Sequence, residues 1–378
     1  MSGSPGTAPQ GSGGPPVDPG PTPEHTVDAW PPPRTAASPD GRRRNLSPWA
    51  FWMLHLSGVG DADPCPTNPA EVTVWRERVR GRLDELLGAP PVRVPLDIEL
   101  TQTVDAGDHL RHRIVFDSEA TMAVPAYLLV PKERVTAPAG TAVLAVHGHG
   151  PGKEMICGLT GPEQDHYALE LVRMGHVVLA PDLRCFGERQ DPQWDPSRYK
   201  YDCDWNLVAA TMADTVPLAQ NLWDLHRSID VLEGHPLVDP ARIAVVGFSY
   251  GATMSLFCAA TDTRVRAAVL SGYLSSWRST HTVPWNMCGS QVLPGQLGRL
   301  EHLDLAALVA PRPLLVESGT EDILFPADTA RETVGRLREV YRALGADPAL
   351  VVHDVFEGDH RWHGSMVRAF LTERLEAN

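Results

Sequence analysis

From Asp97 onward, short apolar runs alternate with longer stretches in which apolar residues recur at helical spacing. The runs Ala142–Val146, Val177–Ala180, Ile243–Val246, Ala267–Leu270, Pro313–Val316 and Val351–Val355 have little polar alternation, as strands buried on both faces require. His112–Asp117 and Val124–Val130 read as an antiparallel pair leading into them. Helical spacing predicts helices over Pro162–Met174, Leu218–Leu232, Ala252–Ala260, Ala327–Leu344 and Gly364–Leu375. Strands alternating with helices imply right-handed crossovers and a mostly parallel sheet covered on both faces, an α/β architecture.

Upstream, Val74, Val79, Leu83, Leu86 and Leu87 give an amphipathic helix over Val72–Leu87, stopped by Gly88 with Pro90 and Pro91 beyond. Residues 1–40, rich in Pro, Gly, Ser and Thr, cannot bury enough apolar surface to order and are expected to be disordered. The resulting division is 1–40 disordered, 41–96 a helical extension and 97–378 one α/β domain. The rhythm breaks over Arg189–Val216, with Trp194, Tyr199, Tyr201 and Trp205, and over Ser275–Gly298, with Trp277 and Trp285. Both irregular stretches are expected to emerge at the carboxyl ends of strands, where such sheets bind ligands, and to roof a pocket.

Composition narrows the function classes. The 378 residues are 43% hydrophobic and carry a net charge of −14, which disfavours nucleic acid or an anionic membrane as a partner. No run approaches the ~18 apolar residues of a membrane span. Met1–Gln10 lacks the basic and apolar regions of a secretory leader. Arg42–Arg44 precede the apolar stretch Pro48–Val59 much as in a twin-arginine signal, but that stretch is short, with three aromatics and a histidine, and reads as a packing segment. The six cysteines form no C-x-x-C pair, and their spacing matches no zinc site or disulfide framework, so a reducing cytoplasm is expected, with no metal or cofactor.

Gly247-Phe248-Ser249-Tyr250-Gly251 is a G-x-S-x-G sequence fed by an apolar strand and followed by a small-residue helix. That context exposes a serine on a strained strand-to-helix elbow, as in α/β-hydrolase folds. A serine hydroxyl needs a base to take its proton, and the partners follow in the order serine, acid, histidine. Asp322 follows the strand Pro313–Val316 and is the expected acid; Glu321 and Glu317 compete, and Asp322 could instead cap the next helix. His360 follows the last strand and is the expected base, with His363 as competitor. The oxyanion donors are the N–H groups of Tyr250 and of His149 in His147-Gly148-His149-Gly150. His147 and His149 alternate as metal ligands can, without a third ligand at metal-like spacing. Phe186, Trp205 and Trp285 are assigned to substrate binding.

The H-G-H-G loop with Lys153, the element Asp182-Leu183-Arg184-Cys185-Phe186-Gly187-Glu188-Arg189, the elbow and Gly319–Pro326 together resemble the dienelactone hydrolase and acetyl xylan esterase-like branch of α/β hydrolases. The resemblance spans Leu46 to Leu375, and Trp75–Pro91 is similar to that branch's N-terminal extension. It implies an α/β-hydrolase fold and esterase-like activity. Dienelactone hydrolases proper use a cysteine nucleophile; serine at 249 argues for ordinary ester hydrolysis. The expectation is a small-molecule carboxylic ester cleaved through Ser249, His360 and Asp322, with homo-oligomerisation compatible. The rivals are a prolyl oligopeptidase-like peptidase, which needs a large N-terminal domain, a biosynthetic acyltransferase, and a non-catalytic binding protein.

Overall fold

The computed structural model describes residues 35–37, 43–60, 62–191, 202–281 and 288–376. Two compact units divide at His55 and Leu56. In the first, β1 (Thr35–Ala37) pairs antiparallel with β2 (Arg43–Asn45), and α1 (Pro48–Ser57) begins. The strand β1 lies inside the stretch expected to be disordered, because a backbone ladder can form without the apolar content that composition measures. Ala50 is buried, but Phe51, Trp52 and Leu54 are exposed, since apolar residues around α1 leave no single face to bury.

The second unit carries the sheet. Its elements run α2 (Pro69–Leu87), β3 (Glu99–Asp105), β4 (His109–Glu119), β5 (Met122–Pro131), β6 (Gly140–Val146), α3 (Lys153–Ile156), α4 (Tyr167–Arg173), β7 (Val177–Pro181), α5 (Asp202–Met212) and α6 (Pro217–Glu233). They continue as β8 (Val238–Phe248), α7 (Tyr250–Thr261), β9 (Val265–Ser271), α8 (Trp277–His281), α9 (His302–Val309), β10 (Leu314–Gly319), α10 (Ala327–Ala343), β11 (Val351–Phe356) and α11 (Val367–Leu371). Nine strands form one sheet in the order β11-β10-β9-β8-β6-β7-β5-β4-β3. The run from β11 to β7 is parallel, and β5, β4 and β3 add antiparallel at one edge. Every residue of β6 and the stretch Ile243–Phe248 of β8 are buried, which is why these strands read as continuous apolar runs.

Helices close both faces. On α6, Leu218, Leu222, Leu225, Ile229 and Leu232 recur at helical spacing and are buried. On α2 the buried face is Val72, Trp75, Val79 and Leu83, and Val74, expected inside, is exposed. Asn68 caps this helix by accepting from the Ala70 N–H at 2.9 Å, and Gly88 ends it. The α2 face belongs to the same apolar cluster as β6 and β8, so this helix is part of the α/β unit. Burying each of its large side chains contributes roughly 1.5–3 kcal/mol.

Both stretches expected to be irregular contain helices. Arg189–Val216 includes α5, and Ser275–Gly298 includes α8, whose Trp277 is 1% exposed and serves packing. The helix expected over Pro162–Met174 is a short 3-10 turn followed by α4, and the last helix is α11 running into a π turn over Thr372–Glu376. Among the described residues no helix is long and apolar enough to cross a membrane.

Candidate active site

The elbow between β8 and α7 holds Ser249 at φ 56°, a left-handed conformation that is strained for a residue with a Cβ. Close backbone contact explains the flanking glycines. A Cβ on Gly251 would lie 1.9 Å from the Val146 carbonyl oxygen, and one on Gly247 2.3 Å from the Gly251 backbone. The turn therefore lifts the Ser249 hydroxyl above the ends of β6 and β8.

Two more loops converge there. The loop after β10 carries Asp322, which is buried, and the loop after β11 carries His360. Backbone bonds join them: Thr320 N–H donates to the Phe356 carbonyl at 2.9 Å and Glu321 N–H to the Gly358 carbonyl at 2.8 Å. His360 Nε2 lies 2.8 Å from Ser249 Oγ, and its Nδ1 lies 2.7 Å from Asp322 Oδ2. Asp322 Oδ1 accepts from the Leu324 and Phe325 N–H groups at 2.8 and 2.9 Å, so the carboxylate is fixed at both oxygens. Phe325 and Phe248 flank the His360 ring, with centroids 5.6 and 4.7 Å away.

The competitors lie elsewhere. His363 stacks on Phe356 at 4.2 Å and faces Asp354. Glu321 is exposed. Glu317 is fully buried, accepts from the Gly364 N–H at 2.9 Å, and is pushed up to about 7 by burial.

The H-G-H-G loop lies against the elbow, where a Cβ on Gly148 would come within 3.4 Å of Ser249 Cβ. Tyr250 opens α7, so its N–H falls among the first helical donors that have no intrahelical acceptor. His147 is a strut. Its Nε2 accepts from the Leu183 N–H at 3.0 Å, and its Nδ1 sits 2.7 Å from the Gly148 carbonyl. Burial holds its pKa below the ordinary imidazole value, consistent with a neutral ring that donates on one side and accepts on the other.

The Asp182–Arg189 element braces the rim. Asp182 takes the Lys153 N–H at 2.8 Å, the Lys153 ammonium at 2.5 Å and the Glu188 N–H at 3.0 Å. Lys153 also reaches Glu188 at 2.6 Å, and Arg113 pairs with Glu188. Arg113 first, then Lys153, holds the Glu188 carboxyl at about 2. Phe186 is buried, 5.4 Å from the His149 ring and 5.9 Å from the Tyr250 ring. Trp205 lies on α5 and is 65% exposed. Trp285 lies outside the described residues.

Sequence spacing missed one group. His149, Cys203 and Cys288 come together with their ligand atoms all within 4.8 Å of one another, although the cysteine pattern suggested no metal site. The Cys203 pKa is held low by hydrogen bonds from the Cys185 and then the Cys288 side chains. These residues come from separate segments, so no local motif could announce them. Asn221 was missed as well; it accepts from the Arg184 N–H and donates to the Tyr250 hydroxyl at 3.0 Å.

The family described as the Abhydrolase family matches residues 65–328. The chain belongs to that family. Its sheet and elbow are those of an α/β-hydrolase fold, as the resemblance implied. Over 278 residues it is 27% identical to YtaP of Bacillus subtilis (strain 168), a protein named by inference as a hydrolase, covering 72% of this chain and 89% of the relative. Over 149 residues it is 30% identical to 4-O-methyl-glucuronoyl methylesterase 1 of Wolfiporia cocos (strain MD-104), covering 33% of this chain and 36% of that enzyme. The crystal structure of an inferred acetyl xylan esterase from Bacteroides fragilis NCTC 9343 superposes with a TM-score of 0.75 at 18% identity, covering 91% of this chain and 98% of the other.

Proposed function

We propose that the protein is a serine esterase that cleaves a carboxylic ester by two-step acyl transfer. The relay from Ser249 through His360 to Asp322 carries this reading. His360 takes the hydroxyl proton as Ser249 attacks the carbonyl carbon. Asp322 holds the imidazole tautomer and stabilises the imidazolium as it forms. The Tyr250 and His149 N–H groups donate to the oxyanion. Collapse expels the alcohol, which receives the proton from His360. Water, deprotonated by the same ring, then attacks the acyl-enzyme and releases the acid, restoring the hydroxyl.

The substrate we infer is an ester borne on a carbohydrate. The names of the Wolfiporia cocos and Bacteroides fragilis proteins support that class. Phe186, and Trp205 on α5, are the aromatic surfaces proposed to meet the substrate. Six cysteines outside any disulfide support a reducing compartment. The test compares wild type and Ser249→Ala on p-nitrophenyl acetate, acetylated xylo-oligosaccharides, a methyl glucuronate ester and a prolyl p-nitroanilide. The expected result is ester turnover by the wild type alone and no amide turnover. Ester turnover by the variant, or a preference for the amide, would overturn the proposal.

A further inference from the structure

We propose that His149, Cys203 and Cys288 form a zinc site that fastens three separate chain segments beside the elbow. His149 comes from the loop after β6, Cys203 from α5, and Cys288 from the stretch between α8 and α9. His149 Nε2 lies 3.0 Å from Cys288 Sγ, and the three ligand atoms lie within 4.8 Å of one another. Zinc–sulfur bonds of about 2.3 Å and zinc–nitrogen bonds of about 2.0 Å in a tetrahedron leave neighbouring ligands about 3.5–3.8 Å apart. Small side-chain shifts bring this group to that spacing.

The donor set selects the ion. Sulfur with imidazole suits zinc and binds poorly the hard cations that prefer carboxylate oxygens. The side chain of His149 is directed at sulfur through Nε2, while its ring is flanked by Phe186 and Tyr250 at 5.4 and 5.0 Å. A disulfide would use two sulfurs and leave that orientation without a purpose. His147 cannot join, because its Nε2 already accepts from the Leu183 N–H. Three protein ligands hold the ion, and its fourth position is left to water. Each thiol gives its proton to solvent as the metal binds. The metal would anchor the loop whose His149 N–H is the proposed oxyanion donor, but its presence does not depend on the esterase reading.

The test uses the full-length chain, purified with a non-chelating reductant, supplied with zinc and dialysed. Elemental analysis should find about one zinc per chain. Cys203→Ser and Cys288→Ser should each hold several-fold less, with unchanged far-ultraviolet circular dichroism. Chelation should lower Tm of the wild type and leave Tm of Cys203→Ser unmoved. Cobalt in the wild type should give thiolate-to-metal charge-transfer bands and intense tetrahedral ligand-field bands, a readout that needs no variant to fold. Wild type retaining no more zinc than Cys203→Ser would overturn the proposal. So would cobalt spectra without thiolate bands, or peptide mapping of the non-reduced protein that finds Cys203 crosslinked to Cys185 or Cys288.

Discussion

Asp322→Asn separates the electrostatic role of this carboxylate from its structural one. The wild-type side chain accepts three hydrogen bonds, from His360 Nδ1 at 2.7 Å, the Leu324 N–H at 2.8 Å and the Phe325 N–H at 2.9 Å. The amide keeps one oxygen for the two backbone donors, so unfolding free energy should change by about 1 kcal/mol or less. Toward His360 it presents an uncharged group that no longer fixes the tautomer or stabilises the imidazolium. The loss in kcat should be roughly 10³–10⁴-fold, or about 4–5.5 kcal/mol. Asp322→Ala removes the acceptor as well and strands two N–H groups, costing roughly 1–3 kcal/mol for each. The assay pairs kcat on p-nitrophenyl acetate at mildly alkaline pH with urea unfolding of the same preparations. An Asp322→Asn enzyme within about tenfold of wild type would refute the reasoning and move the acid elsewhere.

His360→Ala should cost about as much kcat as removing Ser249, and His363→Ala far less, because of these two only His360 reaches the hydroxyl; a His363→Ala loss as large as that of His360→Ala would contradict this. Glu317 titrates at about 7 in the folded chain against an ordinary 4.5, so its cost to stability is absent below 4.5, grows as pH rises, and is complete above 7 at about 3 kcal/mol. Glu317→Gln should therefore stabilise the protein in urea at about pH 8 far more than at about pH 5, and a pH-independent effect would refute the burial argument. Trp205→Ala, at a site 65% exposed, should shift ester preference while moving stability by about 0.5 kcal/mol or less; a large stability loss with unchanged preference would make it a packing residue.

What the sequence made legible follows from what is local. Ala142–Val146 of β6 and Ile243–Val246 of β8 stood out because both faces are buried and no polar residue interrupts them. β3 left no trace, since Glu99–Asp105 is a nearly fully exposed edge strand held by its ladder to β4. The helix α5 was masked by the aromatics around it, which suggested a loop. Ser249, Asp322 and His360 each sit just beyond a strand end, so strand reading together with the G-x-S-x-G sequence narrowed the candidates to these and a few neighbours. Choosing His360 over His363 depended on three residues of loop register, which the Glu321–Gly358 backbone bond helps fix. The group around His149 was invisible because its members meet only in three dimensions, with 139 positions separating His149 from Cys288.

The central claim is that Ser249 is a nucleophile activated by the relay behind it. The most direct measurement is reaction of the folded wild type with a fluorophosphonate, followed by peptide mapping of the adduct. The account predicts one phosphonyl group, carried on Ser249, with labelling abolished in Ser249→Ala and strongly slowed in His360→Ala. An adduct on another residue, or labelling that persists in Ser249→Ala, would contradict it.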